Sequence, residues 1–437
     1  MAIEVWTILI FVCLFSLIFL GLPISFALGG TGMLFTLIFW GPEALYMAAV
    51  QAWGASGQFV LVAIPLFVFM AMILEKSGIA EKMYDMMYIW FGPIRGGLAI
   101  GTIIICTIFA AMCGISGTAT ITMAAIALPS MLKRGYHKNL AIGCVNSGGG
   151  WGILMPPSVD MVIYSLIAGE SVGRMFAGGV LPTILLLTLD TVYILVRSYF
   201  QPSIAPALPK AERGTWNDKF RSLKAVVLPI VIILSVLGSI LTGIASPTEA
   251  AAIGVLASIL AALNKLTWAM ITDAAAKACK ISAMIMWVIF GAYCLSAIFQ
   301  GMGSIQVVQN LMQYMPGGRW GVMIFFQVII FMFAMVMSSS GIMLITIPIM
   351  LPIVKALGFD PLWFGVLFIV QMEIGYMTPP FGYNLFYIKA VAPEGVTMAD
   401  IYRSVIAFVC VETTGLILMM IYPEIILWLP NKLLPLG

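Results

Sequence analysis

Long apolar runs alternate with short polar segments along most of the chain. In the first half, the predicted spans and interrupted runs are residues 4–20, 24–40, 57–75, 97–132, 138–169 and 176–199. In the second half, they are residues 225–244, 248–263, 279–299, 320–355, 362–391 and 404–422. Because about 20 residues of helix cross the hydrocarbon core of a bilayer, this pattern predicts an all-α polytopic membrane protein.

The composition supports a membrane location and excludes several classes of protein. Of the 437 residues, 62% are hydrophobic and 9% are charged, whereas a soluble protein carries roughly a quarter charged residues. Nucleic-acid binding and soluble enzyme folds are therefore excluded. The seven cysteines are scattered through apolar runs without metal-binding or paired spacing, so they are expected to be buried apolar side chains.

The two halves of the chain resemble each other at an offset of about 224 residues. Ser116-Gly117 corresponds to Ser340-Gly341, and Pro156-Pro157 corresponds to Pro379-Pro380. Several uncommon residue types recur in the same order, which predicts an internal repeat.

The predicted organisation is a first repeat over residues 1–200, a polar linker over 201–224 and a second repeat over 225–437. Residues 97–132 and 320–355 are broken near their centres by small polar residues, which leaves arms too short for full crossings. We therefore predict two re-entrant helical hairpins. Five crossings and one hairpin in each half would invert the second repeat relative to the first.

The positive charges predict the orientation of the chain. A cytoplasmic linker places 17 of the 21 Lys and Arg residues, Lys210 among them, on the cytoplasmic side. Only Arg174, Arg319, Lys355 and Lys432 then face outward. This distribution follows the positive-inside rule and places both termini in the periplasm.

Two interrupted spans carry the densest polar sequence. Residues 146–152 and then Pro156-Pro157-Ser158 predict an unwound segment, because glycine and proline disfavour helix. Carbonyl groups of a half-helix ending near Asn146 would suit Na⁺, and the N-terminus of a half-helix beginning at Pro156 would suit a carboxylate. Residues 373–382 repeat the pattern. The alternative is a packing kink with close helix contacts through glycine.

The hairpin tips carry hydroxyl groups. Ser116 and Thr118 in the first tip, and residues 338–341 in the second, supply oxygen ligands suited to a monovalent cation, or alternatively bond neighbouring carbonyls. Ionising Glu373 inside the membrane would be costly without a partner, so this residue either has a functional role or is stabilised by a hydrogen bond or a cation. Asp160 is expected to stabilise the N-terminus of its helix. The remaining acidic residues of the apolar runs are expected at helix ends or interhelical contacts: Asp190, Glu249 and Glu412.

One enzyme class deserves comparison. Residues 114–117 have the G-x-S-G form of an intramembrane serine protease, and His137 is the only histidine. His137 lies in a basic loop at the base of the predicted hairpin, roughly 20 Å by helix rise from Ser116 at its tip. A general base must reach its nucleophile, so no catalytic residue is assigned.

The sequence resembles the large membrane subunit of the tripartite ATP-independent periplasmic (TRAP) transporters. The resemblance covers essentially the whole chain and is sharpest at residues 114–118 with 129–136, at 152–158, and at 358–365 followed by 378–382 and Asn384-Leu385. Phe381 departs from the family pattern, in which a small aliphatic residue commonly follows the second Pro-Pro.

The resemblance implies a bacterial inner-membrane importer of organic acids, driven by a Na⁺ gradient. Its implied partners are a periplasmic substrate-binding protein and a small membrane subunit encoded as a separate chain. The implied mechanism is an elevator, in which hairpins and broken helices form a transport domain that moves against a scaffold. A channel with the same broken helices is the alternative.

The resemblance also implies site residues at matching positions. The implied Na⁺ ligands are Ser116, Thr118, Asn146, Ser147, Gly148, Gly149 and Gly150, mirrored by Ser338, Ser339, Ser340, Gly341, Glu373, Gly375 and Thr378. The residues expected to border the substrate are Ser116, Pro156, Pro157, Ser158, Ser340, Thr378, Pro379 and Pro380.

Overall fold

The regular secondary structure of the described residues is entirely helical. This computed structural model describes residues 3–209 and 212–435, without the side chains of 311–313, so Lys210 lies outside the described residues. No strand occurs in these ranges, which confirms the all-α prediction for them. Six helical stretches among the described residues, two of which join neighbouring helices, are long and apolar enough to cross a membrane: Phe59–Lys76, Val172–Phe200, Trp216–Leu241, Trp268–Gly301, Ser339–Ala356 and Met398–Ile421.

The first half of the chain folds into a series of mostly short helices. They are α1 (Ile3–Phe19), α2 (Ile24–Trp40), α3 (Tyr46–Ser56), α4 (Ala63–Lys76), α5 (Ile79–Phe91), α6 (Gly97–Cys113), α7 (Ser116–Lys133), α8 (Lys138–Gly150), α9 (Val159–Ala168) and α10 (Val172–Phe200).

The linker and the second half continue the series. Their helices are α11 (Trp216–Ser222), α12 (Lys224–Leu241), α13 (Pro247–Ala262), α14 (Trp268–Gly301), α15 (Ser304–Gln313), α16 (Gly318–Ala334), α17 (Ser339–Ala356), α18 (Pro361–Tyr376), α19 (Tyr383–Val391), α20 (Met398–Ile421) and α21 (Glu424–Leu433).

At both predicted hairpin tips, one helix ends and the next begins within a few residues. Helix α6 ends at Cys113 and is capped by Gly114, which has a positive φ of 64°; α7 begins directly after the extended residue Ile115. Glycine adopts this left-handed conformation without steric cost. Helix α16 ends at Ala334, and α17 begins after Ser338.

The first interrupted span breaks later than the sequence predicts. Helix α8 continues through Asn146 to Gly150, a short 3-10 turn covers Trp151–Ile153, and α9 begins at Val159. The prediction that residues 146–152 unwind is therefore wrong for 146–150, as is the start of the second half-helix at Pro156. The Pro-Pro pair lies inside the break.

Close packing explains why the glycine run stays helical. A Cβ at Gly148 would lie 3.2 Å from Ile103 Cα in α6, and one at Gly149 would lie 2.7 Å from Thr120 Cα in α7. Both arms of the hairpin therefore approach the α8 backbone at distances that only glycine permits. Close helix contacts through glycine were the alternative explanation of this run. The packing that they allow outweighs the low helix propensity of glycine.

The second interrupted span behaves in the same way. Helix α18 continues through Glu373 and Gly375 to Tyr376, and α19 begins at Tyr383. The break is thus confined to residues 377–382, and the prediction of unwinding from Glu373 is wrong. A Cβ at Gly375 would lie 2.3 Å from the Cβ of Ala334 at the end of α16, so this glycine also serves helix packing.

Candidate functional site

A cavity of about 250 Å³ lies where the hairpin tips and the helix breaks converge. Among the predicted site residues, it is lined by Ser116, Ser338, Ser339 and Ser340. The other polar lining side chains are Asp160, Tyr376, Tyr383 and Tyr387, and helix α14 closes one side with Ile281, Met284 and Ile285. Segments that are distant in sequence therefore line one cavity: residues 97–133, 138–168, 318–356 and 361–391.

Four helices begin at the wall of this cavity. Ser116 opens α7, Val159 opens α9, Ser339 opens α17 and Tyr383 opens α19. The first N–H groups of a helix have no partner within the helix, and the helix dipole places partial positive charge at this end. Convergent N-termini make the cavity favourable for an anion.

The tip of the first hairpin contacts the second half of the chain. The Ser116 hydroxyl donates a hydrogen bond to Asn384 Oδ1 at 2.8 Å. A Cβ at the neighbouring Gly117 would lie 2.9 Å from the ring of Tyr387. Asn384 and Tyr387 both belong to α19, so this short helix holds the first tip in place.

The tip of the second hairpin contacts both halves. The backbone N–H of Ser339 donates to the hydroxyl oxygen of Tyr376, at the end of α18. The Ser339 side chain lies beside Asp160 in the first turn of α9. Asp160 therefore stands near the N-terminus of its own helix, as predicted, and also at the cavity wall.

A group of buried polar side chains lies behind the first tip. Asn146, Glu373 and Asn384 are fully buried. The amide atoms of Asn146, the Asn384 Nδ2 and both carboxyl oxygens of Glu373 have no hydrogen-bond partner among the described residues. A Cβ at Gly150 would lie 2.9 Å from Glu373 Oε1 and 3.2 Å from Asn384 Nδ2. Unpartnered buried oxygens can bind a cation.

Several implied ligands lie away from the cavity. The Ser147 hydroxyl contacts Asp190 and Glu412, and the Thr378 hydroxyl donates to the Ile374 carbonyl at 2.6 Å. Thr118, half-buried, does not line the cavity. The implied glycine ligands pack against other helices instead: Gly148 against α6, Gly149 against α7, Gly341 against Ile24 and Gly375 against α16.

The proline residues shape the breaks without lining the cavity. Ser158 caps α9 by accepting the Met161 N–H, and it donates to the Ile153 carbonyl at 2.6 Å. The Pro380 carbonyl accepts from Tyr402 at 2.9 Å. The remaining residues expected to border the substrate also lie outside the lining: Pro156, Pro157, Thr378 and Pro379. Phe381 is exposed and does not touch the pocket.

Asn384 belongs to the sequence pattern that resembles the family, but no role in the site was predicted for it from the sequence. The Pro-Pro pairs of the two halves match at an offset of 223, which pairs Asp160 with Tyr383, so the repeat gives no signal for Asn384. Tyr387 matches Tyr164 in the repeat, whereas Tyr376 had no signal, because isolated aromatic residues are common in membrane helices. Asp190 and Glu412 were predicted to lie either at helix ends or at interhelical contacts. They lie at an interhelical contact, in the middle of α10 and α20.

The geometry is unlike that of a serine protease. Ser116 begins α7, whereas His137 lies beyond the far end of that helix, where its ring accepts a hydrogen bond from the Asn139 N–H at 3.2 Å. The Ser116 hydroxyl bonds Asn384 instead. In residues 3–209 and 212–435, no three Asp, Glu, Cys or His side chains group as a metal site.

Apolar spans, interrupted helices and a shared polar cavity define a membrane protein of the transporter class. Residues 11–425 match the family described as "Tripartite ATP-independent periplasmic transporter, DctM component". The chain belongs to this family, which confirms the resemblance identified in the sequence.

Relatives from several bacteria match nearly the full length. The chain is 30% identical to a C4-dicarboxylate TRAP transporter large permease protein of Vibrio cholerae, covering 98% of both chains. It is 31% identical to the protein of that description from Pseudomonas aeruginosa, covering 93% of this chain and 94% of that one. It is 28% identical to an ectoine TRAP transporter large permease protein of Halomonas elongata, with 95% and 96% covered.

Solved structures share the fold at low sequence identity. The YdaH transporter of Alcanivorax borkumensis superposes with a TM-score of 0.65 at 14% identity, over 88% of this chain and 89% of that one. MtrF of Neisseria gonorrhoeae gives a TM-score of 0.61 at 14% identity, over 92% and 86%. These similarities establish the fold alone.

Proposed function

We propose that the chain is the large permease of a bacterial inner-membrane importer that couples Na⁺ entry to uptake of an organic acid. The observation that carries the proposal is the convergence of four helix N-termini on one cavity, backed by unpartnered buried oxygens. An anion and a cation can occupy neighbouring positions in such a site, and each stabilises the other.

The organic acid follows from the chemistry of the cavity. No Lys or Arg is among its lining residues, so helix N-termini and the hydroxyl groups of the serines and tyrosines would bind a carboxylate. Relatives are named for transport of C4-dicarboxylates and ectoine, and another for 2,3-diketo-L-gulonate. These compounds all carry carboxylate groups, which supports a small carboxylate-bearing cargo.

Sodium binds, in this proposal, where the first tip meets the two interrupted spans. The candidate ligands are the oxygens of Ser116, Asn146, Asn384 and Glu373, together with carbonyls at the end of α8. Binding there would fix the Ser116 tip against α19, so the cavity would be complete for the anion only after the cation arrives. Neutral oxygens suit a weakly held monovalent cation.

An inverted repeat and an elevator movement complete the mechanism. The contact of Ser116 with Asn384, and of Ser339 with Asp160, joins each tip to the opposite half of the chain, as a two-fold related pair would. Moving the loaded unit as one body keeps the substrate and ion enclosed. Their mutual neutralisation matters, because an uncompensated charge in the bilayer is costly.

We propose two partner chains, a small membrane subunit and a periplasmic substrate-binding protein, with the polar linker 201–224 in the cytoplasm and both termini in the periplasm. The family name specifies a tripartite system, and the distribution of Lys and Arg supports the orientation. The binding protein would deliver the organic acid to the outward face.

The test is uptake by proteoliposomes that contain the permease and its small subunit, supplied with binding protein and labelled organic acid. We expect uptake to saturate and to require both an inward Na⁺ gradient and the binding protein. Replacing Na⁺ with K⁺ should abolish concentrative uptake. Flux that persists without Na⁺ and without binding protein would identify a channel and overturn the proposal.

A further inference from the structure

A second polar cavity lies apart from the proposed substrate site, at one end of α10 and α20. Its volume is about 260 Å³, and residues of the linker and of helices α8, α10 and α20 line it. Arg197 of α10 and Arg403 of α20 belong to its wall, together with His137 at the start of α8. Among the described residues, no acidic side chain lines it. The cavity therefore concentrates positive charge, unlike the substrate cavity.

Both guanidinium groups at this cavity have unused hydrogen-bond donors. Arg197 donates one hydrogen bond to the Tyr193 hydroxyl at 2.8 Å. Arg403 is exposed, and the ion pairs within residues 3–209 and 212–435 involve other basic side chains. A guanidinium has five N–H donors and stays charged in proteins. Two such groups in one wall can bind a single anion between them.

The acidic residue nearest to Arg403 in the sequence is engaged elsewhere. Asp400 caps α20, because its Oδ2 accepts from the Thr397 backbone N–H at 2.9 Å and from the Thr397 hydroxyl at 2.8 Å. Lys138 lies 3.5 Å from the same oxygen. Asp400 therefore stabilises the start of its helix and pairs with Lys138, and it does not neutralise Arg403.

His137 adds a neutral donor to the wall. Its Nδ1 accepts a hydrogen bond from the Asn139 backbone N–H at 3.2 Å. A neutral imidazole that accepts at Nδ1 carries its hydrogen on Nε2. The Nε2–H group is thus available to an acceptor in the cavity, and the Asn139 side chain also belongs to the lining.

Exposed apolar side chains extend from the cavity along the same two helices. Ile406 lines the cavity and is 61% exposed. Val196 is exposed on α10, and Ile417 is exposed three turns further along α20. The two helices contact each other at Tyr193 and Phe408, whose ring centres are 5.1 Å apart. Both helices are long and apolar enough to cross a membrane, so the cavity opens onto a lipid-facing surface.

The position of the two arginines matches the depth of lipid headgroups. Arg197 lies in the last turn of α10 and Arg403 in the second turn of α20, so both are close to the ends of membrane-crossing helices. The linker follows α10, which places this end on the cytoplasmic side in the proposed orientation. Basic pockets between membrane helices on that side suit the headgroups of acidic lipids, and guanidinium groups match phosphate geometry.

We propose that the cavity between α8, α10 and α20 binds an anionic phospholipid of the cytoplasmic leaflet. Its phosphate lies between Arg197 and Arg403 and accepts from His137, and an acyl chain follows the apolar surface past Ile406. A free phosphate compound would leave that apolar surface unused. The site is separate from the substrate cavity, and the proposal goes beyond organic acid uptake, so the two can fail independently.

Native mass spectrometry of the permease with its small subunit, in a neutral detergent, tests the proposal. The probes are phosphatidylglycerol, which is anionic, and phosphatidylcholine, whose ammonium group would be repelled by the arginines. We expect the first phosphatidylglycerol to bind more tightly than phosphatidylcholine. Arg197→Gln combined with Arg403→Gln should raise the Kd for phosphatidylglycerol by about tenfold, because both charged contacts with the phosphate are lost.

The matched control is Arg95→Gln combined with Arg221→Gln. These arginines are exposed, lie outside the cavity and belong to the same predicted side of the membrane, so the control loses the same total charge. Its Kd for phosphatidylglycerol should equal that of the unmodified chain. Equal Kd values for the unmodified chain and the cavity variant would overturn the proposal, as would equal rises in the cavity variant and the control.

A competition measurement needs no substitution and covers the case in which the cavity variant fails to fold. Glycerol 3-phosphate carries the phosphate without acyl chains. Even in large excess, it should leave phosphatidylglycerol bound to the unmodified complex, since the apolar surface contributes to binding. Displacement of the lipid would identify a site for soluble phosphate compounds and would contradict the proposal. Equal affinity of the unmodified complex for the two phospholipids would contradict it too.

Discussion

At the scale of single residues, the site depends on polar side chains that hold the two halves together. The bond from Ser116 to Asn384 fixes the first tip, and Asn384 also stands beside Glu373. The sequence indicated Ser116 and Glu373 through their position near glycine and proline. It did not assign Asn384 to the site, because one amide after a break does not by itself indicate a ligand.

Asn384→Ala tests the role of this residue. The variant removes the acceptor of the Ser116 hydroxyl and a candidate oxygen ligand, so the Na⁺ concentration that gives half-maximal uptake should rise by about tenfold. Ser235→Ala is the matched control, since the Ser235 hydroxyl is exposed and bonds its own helix at Val231. Unchanged Na⁺ dependence in Asn384→Ala would remove this residue from the proposed site.

At the scale of helices, local preference and packing compete, and packing decides where the breaks fall. The sequence predicted most of the long helices from their apolar runs, but not the short helices α3, α11 and α21. It also predicted the interruption of both spans, because glycine and proline disfavour helix. It placed the first break too early. The run ending at Gly150 remains helical because α6 and α7 pack directly on its backbone, and such long-range contacts have no signature within a single segment.

Gly149→Ala tests this packing. A Cβ there would lie 2.7 Å from Thr120 Cα, so α7 would have to move away from α8. Overpacking of this kind costs about 1–3 kcal/mol, and the midpoint of thermal unfolding in detergent should fall. Gly30→Ala is the control, because a Cβ at Gly30 meets no atom within 4 Å. Equal midpoints for the two variants would contradict the packing explanation.

At the scale of the whole molecule, the interrupted elements interlock around one cavity. Each tip contacts a helix of the other half, and Tyr164 of α9 also donates to the Pro361 carbonyl at the start of α18 at 2.5 Å. Elsewhere α2 and α14 cross closely, with a Cβ at Gly32 only 2.8 Å from Leu295 N. We propose that the interrupted elements around the cavity move together as the transport unit, and that α2 and α14 belong to the scaffold.

The central claim is that an organic acid and Na⁺ bind together where the hairpin tips meet the helix breaks. A high-resolution cryo-EM map of the permease with its small subunit, in Na⁺ and saturating substrate, tests it most directly. We expect the acid between Ser116, Ser340 and Tyr387, with Na⁺ beside Asn146 and Asn384. Substrate density in the separate cavity of about 330 Å³ beside Gln51 would contradict the account.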